Sequence, residues 1–145
     1  MKIVAVSGYF DPFHVGHLEN FELAKKLGDK LVVILNNDKQ AILKKGGSFM
    51  SEEDRFKIIS ALEIVDEVFL SIDEDASVCK SLESVRPHIF AKGGDRHSGE
   101  IPEAAICREC GIEIVDGLGA KIRASSDILE KIREFENEKK KNKIN

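Results

Sequence analysis

Gly8-Tyr9-Phe10-Asp11-Pro12-Phe13-His14-Val15-Gly16-His17 follows the apolar run Ile3 to Val6, and this junction decides how the chain is read. Four consecutive apolar residues before a turn read as a buried strand. A strand that ends in a glycine-containing turn and passes into a helix presents backbone N–H groups and the positive end of the helix dipole, which together hold phosphate anions. His14 and His17 stand three positions apart, so in a helix that begins around them they share a face and both point at a ligand on its N-terminus. Taken alone, the stretch is equally a plain strand-to-helix turn with two surface histidines.

Outward from this junction, apolar runs recur at Leu31 to Leu35, Val68 to Leu70, Ile89 to Ala91 and Ile112 to Val115, separated by segments of helical spacing. The alternation predicts an α/β fold with a parallel sheet and helices on both faces, because parallel strands are joined by right-handed crossovers. Ser51 with Asp54 reads as an N-cap before Phe56, Ile59 and Leu62, and Gly28 and Gly111 fall where helices end ahead of the next strand. In an open doubly wound sheet, ligands bind beyond the carboxyl ends of the strands where the strand order reverses. From Ser125 a last helix carries Ile128, Leu129, Ile132 and Phe135 at helical spacing, after which the chain turns charged. The expectation is one domain over residues 1–135 that ends on a docked helix, followed by a frayed, charged tail over 136–145.

A chain of 145 residues suits a single domain with a sizeable core. Its formal net charge of -4 argues against a broad nucleic-acid-binding face, while an anion pocket needs only a few lysines. No apolar run reaches the length of a membrane span, and Met1-Lys2 leads straight into a strand. A cytoplasmic protein with no membrane partner is expected. Cys79, Cys107 and Cys110 make an odd count, and the Cys107-x-x-Cys110 pair lacks the second ligand pair or thioredoxin-like context that zinc or redox chemistry requires. They read as reduced thiols that pack as small side chains.

The form His14-x-Gly16-His17, preceded by Gly8-x-Phe10-Asp11-x-x, resembles the signature of the nucleotidyltransferase superfamily related to cytidylyltransferases. Further pieces fall in the family order: Asn36-Asn37-Asp38, Leu43-Lys44-Lys45-Gly46, Glu52-Glu53-Asp54-Arg55, Lys92-Gly93-Gly94-Asp95 and Ser125-Ser126-Asp127-Ile128. Together they cover nearly the whole chain. The spacing and the Lys-Gly-Gly-Asp form most resemble the adenylyltransferase domains of ADP-heptose synthases from lipopolysaccharide core biosynthesis. Glycerol-3-phosphate and ethanolamine-phosphate cytidylyltransferases and archaeal FAD synthetases resemble it nearly as well.

The resemblance implies a Rossmann-like sheet of five strands in the order 3-2-1-4-5, with the first and fourth strands adjacent at the switch point. It implies attack of an acceptor phosphate on the α-phosphate of ATP or CTP, with release of pyrophosphate, which asks the protein to align two polyanions and neutralise growing charge. His14, His17 and Lys44 take the catalytic roles in that scheme. Gly8, Tyr9, Phe10, Asp11 and Gly16 line the nucleotide at the first turn, Lys92, Gly93 and Asp95 its ribose and base side, and Ser125 and Ser126 a phosphate at the last helix. Lys45 and Arg55 are assigned to the substrate phosphate. Asp11 stays open among three roles: ordering the loop, holding a magnesium-bound water, or capping the helix. Mg2+ is expected to arrive with the triphosphate, since no dedicated metal cage is visible. Relatives often dimerise, so a homodimer is also implied.

One piece departs from the family pattern: Ile122-Arg123-Ala124 precedes Ser125-Ser126 where relatives carry a glycine and a further hydroxyl. The leading expectation is transfer of AMP from ATP to a sugar 1-phosphate of the heptose type. The alternatives are a CTP-dependent enzyme acting on glycerol or alcohol phosphates, an FMN adenylyltransferase, and a nucleotide-binding regulator without turnover.

Overall fold

The computed structural model describes residues 1–93, 101–118 and 125–144. In chain order these form β1 (Ile3–Gly8), α1 (Val15–Lys25), β2 (Lys30–Leu35), α2 (Asp38–Lys45), α3 (Glu52–Ser60) and β3 (Glu67–Leu70). They continue with α4 (Cys79–Val85), β4 (Ile89–Gly93), α5 (Ala104–Cys110), β5 (Glu113–Leu118) and α6 (Ser125–Ile144). The five strands pair in parallel in the order β3-β2-β1-β4-β5. This is the doubly wound α/β sheet that the resemblance implies, and its order reverses between β1 and β4.

Alternation along the strands divides the core between the two faces. Val4 and Val6 of β1, with Leu31, Val33 and Leu35 of β2, join Phe21 and Ala24 of α1 and Ile59 of α3 in one cluster. Ala5 and Ile34 point the other way and meet Leu82 of α4 and Cys107 of α5. Successive side chains of a strand face opposite sides, so β2, with five consecutive buried residues, needs helices on both. The runs of Val, Ile and Leu seen in the sequence are the mark of that double burial.

The local punctuation follows the sequence. Ser51 Oγ accepts from Asp54 N at 3.2 Å and caps α3, and Gly111 closes α5 in the left-handed region at φ 69°, which a residue without Cβ adopts at little cost. The end of the chain differs from expectation. The helix does not fray after Phe135; it runs on to Ile144 as one element of 20 residues, in keeping with the helix propensity of its Glu and Lys residues. On it, Ile132 and Phe135 are exposed. Among the described residues no helix is long and apolar enough to cross a membrane.

Gly28 shows a tighter constraint than a helix stop. A Cβ placed there would lie 2.7 Å from the Lys2 carbonyl oxygen and 2.7 Å from Val4 Cγ2, so the turn after α1 packs directly on the first strand. Backbone is hard to displace. Gly28→Ala should therefore cost about 1–3 kcal/mol of stability, read as a lower urea midpoint at unchanged slope, and an unchanged midpoint would refute the close approach.

Candidate active site

The first helix is capped by its own histidines. His14 occupies the N-cap with extended backbone (φ -142°, ψ 176°), and its Nδ1 accepts from Gly16 N at 3.1 Å. His17 Nδ1 accepts from His14 N at 3.2 Å. The two rings stack with centroids 3.7 Å apart and planes at 21°, and the Phe10 ring stands edge-on to His17 at 5.0 Å. An imidazole whose Nδ1 accepts a hydrogen bond carries its proton on Nε2 when neutral. Both histidines are thereby fixed as Nε2–H donors. Burial, and secondarily the neighbouring His14, push the His17 pKa down to about 4, so at neutral pH His17 works as a hydrogen-bond donor and not as a cation.

Gly8 is required by the ring beside it, for a Cβ there would fall 2.8 Å from Phe10 Cζ. Phe10 itself is buried in the core that supports α1 and takes a left-handed φ of 53°, uncommon for a residue with a side chain. Gly16 is buried at the start of α1. The sequence places all three residues on the nucleotide; the structure makes Phe10 the packing base of the turn.

Two further charged residues find partners inside the protein. Arg55 is 1 % exposed and is not an exposed helix arginine. Its Nε donates to the Met50 carbonyl at 3.0 Å, its Nη1 to the Tyr9 and Asn36 carbonyls at 2.8 Å each, and its Nη2 to Asp38 Oδ1 at 2.7 Å. A guanidinium has five N–H donors in a rigid fork, and this one spends four bonds inside the protein. Lys45 is likewise engaged, its Nζ lying 2.8 Å from Asp11 Oδ2.

Asp11 is itself buried and does not cap the helix. Besides Lys45 it accepts from Phe49 N and Met50 N, both at 2.7 Å. Burial works to raise its pKa, but the Lys45 bond and the two backbone N–H bonds outweigh it and hold the carboxyl below the usual range. Of the roles open in the sequence, ordering the loop is the one the structure shows. Asp38 does the same at the other end of that loop, accepting from Ser48 Oγ at 2.9 Å and from Glu52 N at 3.2 Å.

Beyond the ends of β1, β2 and β4 lies a cavity of about 320 Å³, whose lining includes Gly8, Tyr9, Asn36, Lys44, Lys92 and Glu103. The Lys44 ammonium sits 5.0 Å from the Tyr9 ring centroid in a cation–π arrangement. Gly93 ends β4, where a Cβ would meet the Asn20 amide nitrogen at 2.4 Å. Asp95 falls outside the described residues. Ser125 and Ser126 begin α6, and their side chains fall outside the described part as well. Glu103 carries no motif spacing and was not visible as a candidate in the sequence; the same is true of Asn20.

The Cys107-x-x-Cys110 pair carries no sign of redox use. All three cysteines are free, and burial pushes the Cys107 thiol up to about 11, which disfavours the reactive thiolate.

Parallel strands that reverse order over a polar crevice, together with a histidine-capped helix N-terminus after β1, define a nucleotide-handling α/β protein. The Cytidylyltransferase-like family model matches residues 5–141, and the chain belongs to that family of nucleotidyltransferases. It is 35% identical over 141 residues to the FAD synthase of Picrophilus torridus, covering 94% of this chain and 99% of that one. It is also 35% identical over 138 residues to the bifunctional protein HldE of Methylobacillus flagellatus, covering 90% of this chain but only 27% of the relative. Among solved structures, the lipopolysaccharide core biosynthesis protein from Thermoplasma volcanium superposes with a TM-score of 0.68 at 30% identity, over 80% of this chain and 95% of that one.

Two measurements check this geometry. Arg55→Ala leaves three carbonyls and a carboxylate without their donor, and unfolding in denaturant should show a loss of about 3–5 kcal/mol; a loss below 1 kcal/mol would refute the internal role. For His17, the unfolded chain takes up the proton near pH 6.5 while the folded chain resists until about 4. Its contribution is therefore complete above pH 6.5 and is lost as pH falls toward 4. His17→Gln keeps an acceptor for the cap and should flatten the stability profile across that window; an identical slope in both proteins would contradict the depressed pKa.

Proposed function

We propose that this protein transfers AMP from ATP to the phosphate of a sugar 1-phosphate of the heptose type. An oxygen of the acceptor phosphate attacks the α-phosphorus, the bond to the bridging oxygen breaks, and pyrophosphate leaves with that electron pair. No proton needs to move through the protein. The observation that carries the reading is the stacked pair of Nε2–H donors at the start of α1, on the turn that follows Gly8 and Tyr9, which line the polar crevice with Lys44 and Lys92. Oriented N–H dipoles in a partly desolvated site stabilise charge that develops on phosphate oxygens without reorganisation at the moment of reaction.

The triphosphate arrives as its Mg2+ complex, and the ion is part of the substrate. Asp11 is already engaged by Lys45 and two backbone N–H groups, so its carboxylate does not suit a direct metal ligand. Among the described residues no group of three or more His, Cys, Asp or Glu could hold a metal ion. Mg2+ neutralises phosphate charge when bound, and this chain's histidines and lysines supply the rest.

A second reading, FMN as the acceptor, is favoured by the match to the Picrophilus FAD synthase over 99% of its length. The exposed Leu43 and Phe49 on either side of the Lys44–Ser48 segment would offer a flavin ring apolar surface. Incubating the protein with MgATP or MgCTP and with heptose 1-phosphate, glycerol 3-phosphate or FMN separates the readings by pyrophosphate release. Fastest release with ATP and heptose 1-phosphate is the expected result. Release with FMN alone replaces the first reading by the second, and no release alongside tight nucleotide binding would sink the enzymatic reading and leave a regulator. His17→Gln should lower kcat about 10²–10³-fold while the ATP dissociation constant changes far less, because its contact strengthens in the transition state. Equal losses in both would mean a ground-state binding role.

A further inference from the structure

Glu103 is a carboxylate with 5 % of its surface exposed, and it lines the cavity beyond the strand ends. It stands at the N-cap position of α5, yet its side chain makes no capping hydrogen bond to that helix. Its Oε2 accepts from Val78 N at 3.1 Å, which ties the approach to α4 to the approach to α5. Oε1 has no hydrogen bond or ion pair with any described residue, and it is not among the atoms sealed from solvent. A carboxylate oxygen that takes no donor from the described residues accepts from whatever fills the cavity. The cavity is the place from which that oxygen can be satisfied.

We propose that Glu103 Oε1 accepts a hydrogen bond from a hydroxyl of the acceptor, which makes Glu103 the residue that selects a hydroxylated substrate. The charges in the cavity set the direction. Lys44 and Lys92 draw the phosphate to their side, while the carboxylate repels it and takes a proton-donating group, which on a sugar phosphate is a hydroxyl. The acceptor therefore presents its phosphate to the lysines and a sugar-type hydroxyl to Glu103. A site built around a polar group also rejects an analogue that lacks the matching donor, because the carboxylate is then left unpaired. The inference rests on the proposed transfer to a sugar 1-phosphate and adds that this cavity receives the acceptor.

The experiment uses the full chain and Glu103→Gln, in which an amide oxygen remains for Val78 N and an NH2 replaces the cavity-facing oxygen. Pyrophosphate release is followed with MgATP against heptose 1-phosphate, mannose 1-phosphate, FMN and a series of monodeoxy sugar 1-phosphates. Glu103→Gln should raise KM for the preferred sugar phosphate about 10- to 100-fold, with the KM for ATP and the Tm unchanged. One monodeoxy analogue should be as poor for the wild type as the parent sugar is for the variant, and equally poor for both proteins. This deoxy series in the wild type alone decides the matter if the variant does not fold. Equal KM values for all sugars in both proteins, a parallel loss toward ATP, or a wild type indifferent to every deoxy position overturns the inference while pyrophosphate release keeps the proposed function standing. A wild type silent with every acceptor overturns the proposed function itself.

Discussion

A guanidinium withdrawn from water must find partners for its charge and its N–H groups, and Arg55 finds them in the loops that build the site. Its bonds reach the Tyr9 carbonyl in the turn after β1, the Asn36 carbonyl after β2, the Met50 carbonyl ahead of α3 and the Asp38 carboxylate in α2. These segments come from separate parts of the chain, and one side chain joins them. The fork geometry of arginine satisfies several acceptors in one plane, which a lysine in the same place would not. Asp38 benefits in return: burial works to raise its pKa, but the Glu52 backbone bond and Arg55 hold it low.

Much of this was legible in the chain because both strand burial and helix caps leave local marks. The Ile3 to Val6 and Leu31 to Leu35 runs named strands with two covered faces, and Ser51, three residues before Asp54, named the start of α3. The strand order was not legible from periodicity, since nothing in a run of Val and Ile says which run it pairs with; the motif resemblance supplied it. The site was half legible. The positions of His14 and His17 at the start of α1, Lys44 near the end of α2 and Lys92 near the end of β4 were readable, because each is fixed by the strand or helix end it belongs to.

The internal partners of Arg55, Lys45 and Asp11 were not legible in the sequence for one physical reason. A charged residue near a phosphate site looks the same in sequence whether it faces the ligand or a buried partner, and the difference lies in a residue dozens of positions away. Lys45 meets Asp11 and Arg55 meets Tyr9 only once the loop after α2 folds over the first turn. Glu103 shows the converse. Its spacing carries no motif, and only the cavity closed between the approaches to α4 and α5 gives it meaning.

The internal use of Lys45 and Arg55 also shapes how the site handles charge. With those cations bound to protein carboxylates and carbonyls, the groups that the proposed function assigns to the phosphates are Lys44, Lys92, the N-terminus of α1 and the imidazoles of His14 and His17. Under the proposed function, such a site would hold a triphosphate mainly through dipoles and its accompanying Mg2+, and keep its point charges few. Dipoles fixed by the cap bonds of His14 and His17 do not have to be reoriented as charge shifts from the α-phosphate to the leaving pyrophosphate, whereas a flexible ammonium must follow it. The depressed His17 pKa belongs to the same design, because a protonated ring stacked on His14 would lose the Nδ1 acceptor that caps the helix and with it the geometry that aims Nε2.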